Sequence, residues 1–108
     1  MIIIKLWLDD VRPAPEGYEI SFKTVNDTRS FILGHERRQK FMSCEPIELI
    51  DIDHDAGEYA NDGGDYIRLL DWFEETGRNY PIRIHSANPV GVANMRRIIQ
   101  RNGWKEVF

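Results

Sequence analysis

The chain has 108 residues, 42% of them hydrophobic and 11% aromatic, which is room for one core and not two. A net charge of −4 argues against a general nucleic-acid binder, whose affinity comes from neutralising phosphates with lysine and arginine. The single cysteine, Cys44, argues against an intramolecular disulfide or a cysteine zinc site and points to a reducing cytoplasm.

The run Ile2 to Leu8 is apolar except for Lys5 and gives way to Asp9 and Asp10. It is too short to cross a bilayer and carries no cleavage signal, so it predicts a strand buried on both faces, and no membrane is expected. Arg12 to Gly17, with Pro13 and Pro15, is a loop. Glu19 to Thr24 predicts a weaker strand. Asn26 or Asp27 is the expected cap of a helix that turns Phe31 and Ile32 inward, with Val25 packing just before it, and Arg37-Arg38 ends it. Ile47 to Asp53 predicts a central strand that also ends in acid. Asn61 to Asp65 reads as a turn, after which Tyr66, Ile67, Leu70 and Phe73 recur at helical spacing until Gly77. Pro81 to His85 is the next strand. Asn88 before Pro89 caps a helix with Val92, Met95 and Ile99 on one face and Gly103 as its stop. Trp104 to Phe108 is expected to add a fifth, edge strand.

Strands alternating with three helices imply right-handed crossovers in a largely parallel sheet, within a single domain spanning 1–108. The first connection is short for a helical crossover and is expected to return as an extended loop. Trp7, Trp72 and Trp104 read as core or interface aromatics. The basic groups Arg37, Arg38, Lys40 and Arg96, Arg97, Arg101, Lys105 read as solvated helix surface.

In open α/β sheets ligands bind outside the carboxyl ends of the strands. Three motifs fall there: Leu8-Asp9-Asp10, Asp53-His54-Asp55 and His85-Ser86-Ala87-Asn88. Aspartates 9, 10, 51, 53 and 55 converge on that edge, where like charges repel unless a cation or proton intervenes, so a bound metal is the economical expectation. Asp51 and Asp55 are expected as supporting acids. Arg12 could clamp a phosphate bidentately or pair with Asp10. Ser86 lacks a base dyad, which argues against a serine hydrolase. Asn88 reads as a helix cap before it reads as a phosphate ligand.

An acidic pair after the first strand, an aspartate ending the third and Ser-Ala ending the fourth resemble a receiver domain of the CheY-like superfamily. The resemblance implies a flavodoxin-like, three-layer α/β fold with a parallel five-stranded sheet in the order 2-1-3-4-5. It also implies Mg2+, or Mn2+, held by Asp9, Asp10 and Asp53, with Asp53 as phosphoacceptor and Ser86 as phosphate-sensing hydroxyl. Two features depart from it. Receivers carry a lysine after the fifth strand where this chain has only Lys105 near that strand's start, and the first and last receiver helices are missing. Without that lysine the cation that neutralises an incoming phosphoryl group is lost.

The longer motifs Leu-Asp-Asp-x-Arg-x-x-Pro, Asp-His-Asp-x-Gly and His-Ser-Ala-Asn-Pro are similar to the divergent cyclic-phosphate-processing receiver branch, which implies an RNA end or another cyclic phosphate as substrate. His54 lies opposite in parity to Asp53, and His85 to Ser86, so the two histidines are expected to share a parity and to meet if strands three and four are neighbours. As a pair they could serve as general base and acid. The leading expectation is a metal-dependent cyclic phosphoesterase with His54, His85, Asp53 and Ser86 as catalytic candidates and Arg12, Ser86 and Asn88 as phosphate ligands. Two alternatives stay open: a non-catalytic module that binds a partner protein, and a receiver phosphorylated at Asp53.

Overall fold

The computed structural model describes residues 4–108. Ile2 and Ile3, expected to open the first strand, lie outside the described residues. The strands are β1 (Ile4–Leu8), β2 (Ile20–Phe22), β3 (Ile47–Ile52) and β4 (Ile82–Ile84), all parallel, in the order β2-β1-β3-β4. The fifth strand expected over Trp104 to Phe108 is reduced to one parallel bridge between Ile82 and Glu106, with Val107 N–H donating to the Ile82 carbonyl at 2.7 Å.

From β2 onward each strand lies further along the sheet in one direction. Right-handed crossovers then place every intervening helix on the same face. The helices α1 (Val25–Phe41), α2 (Ile67–Thr76) and α3 (Pro89–Asn102) do share one hydrophobic cluster, in which Leu6, Leu8, Ile50, Ile52 and Ile82 meet Ile32, Leu69, Leu70, Phe73, Met95 and Ile99. Each such side chain taken from water contributes about 1.5–3 kcal/mol. Trp7, Leu49 and Asp51 alternate with these strand residues and lie on the other face, outside the cluster. The described chain is therefore two layers, helices over sheet, where three were expected. The only connection that runs the other way, residues 9–19 between β1 and β2, is the extended loop anticipated, and it lays Tyr18 against Trp7.

Helix ends follow local chemistry. Thr24, not Asn26 or Asp27, caps α1, because its hydroxyl accepts from the Asp27 amide at 3.0 Å. Thr24 is thus excluded from β2, Val25 becomes the first helical residue, and Asp27 sits in the first turn where the helix dipole favours an acid. The helix passes Arg37-Arg38 and ends at Phe41, since basic side chains favour a helix's last turn and do not break it. A short 3-10 helix, Gly57–Asn61, was not anticipated. Asn88 caps α3 as expected, accepting from the Gly91 amide at 3.0 Å, and Gly77 and Gly103 end α2 and α3 in the left-handed conformation. No helix among the described residues is long and apolar enough to cross a membrane.

Candidate functional site

Parallel pairing brings three strand ends to one edge. The Asp53 amide donates to the Leu8 carbonyl at 3.0 Å and the His85 amide to the Ile52 carbonyl at 2.9 Å, so the residues just past β1, β3 and β4 are neighbours. Asp9, Asp10 and Asp53 each offer a carboxylate oxygen, and these three oxygens lie within 4.8 Å of one another. Asp9 and Asp53 are buried, while Asp10 is half-buried. Space for the Asp10 carboxylate depends on Gly57. A Cβ there would lie 2.3 Å from Asp10 Oδ2, and φ of +56° also favours glycine.

Asp9 is the most heavily bonded of the three. Its Oδ1 accepts from the amides of Val11 (2.9 Å) and Arg12 (2.8 Å), and its Oδ2 accepts from Arg12 Nε (3.0 Å) and faces His85 Nε2 (3.0 Å). Burial pushes its carboxyl up, but the two amides, His85 and the Arg12 charge outweigh burial and leave it below the ordinary carboxylate range. Arg12 also reaches Asp53 Oδ2 and the His85 carbonyl, each at 3.3 Å. Its ion-pair partners are Asp9 and Asp53, not the Asp10 considered from the sequence.

Beneath this edge, on the helix-free face, lies a second polar layer. His85 Nδ1 is 2.5 Å from Asp51 Oδ1, and Asp51 Oδ2 accepts from the Tyr18 hydroxyl (2.5 Å) and Arg83 (2.9 Å). Asp51 is fully buried; burial raises its carboxyl, and His85, Tyr18 and Arg83 bring it below the usual range. The Tyr18 hydroxyl is pushed up, first by burial and then by Asp51. Trp7, one of the three tryptophans read as core or interface aromatics, is buried and covers His85 in this layer, outside the helix-side cluster. Trp72 and Trp104 do belong to the core.

The two histidines do not meet as expected. Asp51 pairs with Arg83 and Ile52 with Ile84, so this register puts His85 on the face of Asp53 and His54 on the opposite, helix-covered face. Parity within each strand did not settle their relation, because the register between strands decides it. His54 packs over the first turn of α3, where a Cβ on Gly91 would come within 2.5 Å of its ring. Its Nδ1 is 2.8 Å from Asp55 Oδ1, and Asn88 Nδ2 reaches Asp55 Oδ2 at 3.2 Å. His54, first, and Asn88 lower the Asp55 carboxyl. Ser86 Oγ accepts from the Asn88 amide at 3.2 Å, so both residues shape the turn into α3.

The structure therefore gathers Asp9, Asp10, Asp53, Arg12 and His85, supports them through Asp51, and places His54, Asp55, Ser86 and Asn88 on the α3 side. Sequence reasoning missed Tyr18, Arg83, Gly57 and Gly91. Gly57 was within reach as the glycine of Asp-His-Asp-x-Gly; the others carry no local signal. A concavity of about 430 Å³ between α1 and Arg78, lined by Leu33 and Phe41 among others, contains none of these residues. The carboxylates form a shelf at the strand ends, two of them buried and Asp10 half-buried, and so polar a lining suits a charged ligand better than an apolar one.

Residues 4–101 match the family model described as the cyclic-phosphate processing receiver domain. No curated protein and no solved structure matches the chain.

Proposed function

The chain belongs to the cyclic-phosphate processing receiver domain family, and from that premise we propose that it is a divalent-metal-dependent phosphoesterase that opens cyclic phosphates, such as the 2′,3′-cyclic ends of RNA or nucleotides. The observation that carries this reading is the meeting of Asp9, Asp10 and Asp53, whose carboxylates each bring an oxygen within 4.8 Å of the others at the strand ends. An all-oxygen set of few carboxylates fits a hard cation that keeps water and phosphate oxygens as its other ligands, which favours Mg2+ or Mn2+. The glycine at 57, which clears the Asp10 carboxylate, fits the same use. Bound there, the cation would neutralise phosphate oxygens and polarise a water.

The chain's own groups would supply the rest. Arg12, which pairs with Asp9 and Asp53, would contact a phosphate bound beside them. Opening the ring forms one P–O bond to water and breaks one to the ribose oxygen, which needs a proton taken from the first and given to the second. His54, with Nδ1 held by Asp55, is our candidate for moving that proton at Nε2. His85 has both ring nitrogens against carboxylates; we assign it to holding Asp9. Asp53 serves here as a metal ligand and not as a phosphoacceptor.

The test is phosphorus NMR of a nucleoside 2′,3′-cyclic phosphate incubated with the protein and Mg2+ or Mn2+. A metal-dependent rise of the monoester signal, lost in Asp53→Asn, is expected. Wild-type protein that binds metal but leaves the cyclic ester intact would overturn the enzyme and favour a binding module.

A further inference from the structure

Asp9 is crowded while Arg12 stays where it is. A carboxylate offers about four acceptor sites, and four nitrogens stand within hydrogen-bond distance of Asp9: the Val11 and Arg12 amides, His85 Nε2 and Arg12 Nε. Three of the four cannot leave cheaply. The two amides belong to the turn that follows β1, and His85 is pinned between Asp9 and Asp51 with its side chain 9% exposed. The Arg12 side chain is different. It is 51% exposed, against 1% for Asp9, and it is held by hydrogen bonds to Asp9, Asp53 and the His85 carbonyl. Its backbone, in contrast, is fixed on both sides of its Cα, the amide donating to Asp9 Oδ1 and the carbonyl accepting from Trp7 Nε1.

We propose that Arg12 is a cation latch: its guanidinium spans Asp9 and Asp53 in the ion-free protein and swings out when a divalent cation takes those carboxylates. The inference rests on the metal-site reading above and adds the exchange of one cation for another. Two exchangeable positive charges answer the same repulsion among Asp9, Asp10 and Asp53. Because the Arg12 backbone stays anchored, the released guanidinium remains beside the metal, where it meets a phosphate and not a carboxylate. The latch thereby links phosphate recognition to metal occupancy.

The decisive measurement is on the arginine Nε–H resonances of the labelled protein, with that of Arg12 identified by its absence in Arg12→Lys. Titration with Mg2+ should move the Arg12 signal from a protected, carboxylate-bonded position toward that of a solvent-exposed arginine, in step with the amides of Asp9, Asp10 and Asp53. In parallel, Arg12→Gln should bind Mn2+ roughly two- to fivefold more tightly than wild type, the scale of a partly exposed ion pair that no longer competes. An Arg12 signal that stays put while the three aspartate amides shift would overturn the latch and leave the metal site standing. Aspartate amides that never respond to Mg2+ would overturn both. If Arg12→Gln does not fold, the resonance titration on wild type still decides.

Discussion

The imidazole of His85 lies flat on the indole of Trp7, with ring centroids 3.8 Å apart and planes 4° from parallel. The same indole donates from Nε1 to the Arg12 carbonyl at 2.9 Å. One side chain therefore orients the histidine that holds Asp9 and anchors the backbone of the arginine that spans Asp9 and Asp53. With Asp51 at one ring nitrogen and Asp9 at the other, His85 is fixed in its plane by bonds and across its plane by stacking.

Trp7→Leu removes the stack and the Arg12 anchor together. It should cost about 2–4 kcal/mol of unfolding free energy, somewhat less than full truncation of a buried tryptophan, and weaken Mn2+ binding as Asp9 loses its orientation. Urea unfolding and a metal titration on the same variant check the two parts. A variant that loses stability yet binds metal as wild type does would show Trp7 to be packing alone.

Gly57→Ala places a methyl 2.3 Å from Asp10 Oδ2 on a backbone with φ of +56°. The left-handed conformation alone costs about 1–2 kcal/mol for a residue with a Cβ. The Asp10 carboxylate must also move, so metal affinity should fall by more than tenfold while the sheet stays folded by circular dichroism.

Gly91→Ala is expected to act on the other histidine. Its Cβ would sit 2.5 Å from the His54 ring, so either α3 or His54 shifts, at about 1–3 kcal/mol as in other overpacked sites. If His54 moves the proton in ring opening, turnover of a 2′,3′-cyclic nucleotide should drop at least tenfold with metal affinity unchanged, the opposite pattern to Gly57→Ala.

Stability should fall in acid through Asp9 and Asp51. Both carboxyls lie below the ordinary carboxylate range despite burial, held there by their hydrogen bonds. A group lowered in the folded state stabilises above its unfolded value and loses that contribution as pH falls through the folded one. Unfolding free energy should therefore hold above about pH 5 and decline below about pH 4. Asp51→Asn should be less stable at neutral pH and show a shallower acid decline, measured by urea unfolding across pH.

The clustered carboxylates were readable because they adjoin strand ends, and hydrophobic runs that stop at acid mark those ends without any structure. Asp9, Asp10 and Asp53 follow from Ile4–Leu8 and Ile47–Ile52 in this way, and Asn88-Pro89 and Gly103 bounded α3 by local capping chemistry. The cap of α1 was misplaced because Thr24, Asn26 and Asp27 are all competent, and only the hydroxyl-to-amide geometry separates them.

What the sequence by itself determined is the order of elements, the parallel sheet and the three carboxylates of the shelf, since each depends on periodicity or on neighbours along the chain. What only the tertiary structure decided is which residues meet across strands. The Asp51–Arg83 register sends His54 and His85 to opposite faces, and the missing first helix leaves Trp7, Tyr18 and Asp51 to line the bare side of the sheet. Register and layer are set by pairing between segments distant along the chain, so no local pattern encodes them. The same long-range closure brings Arg12 onto Asp53, 41 residues away along the chain.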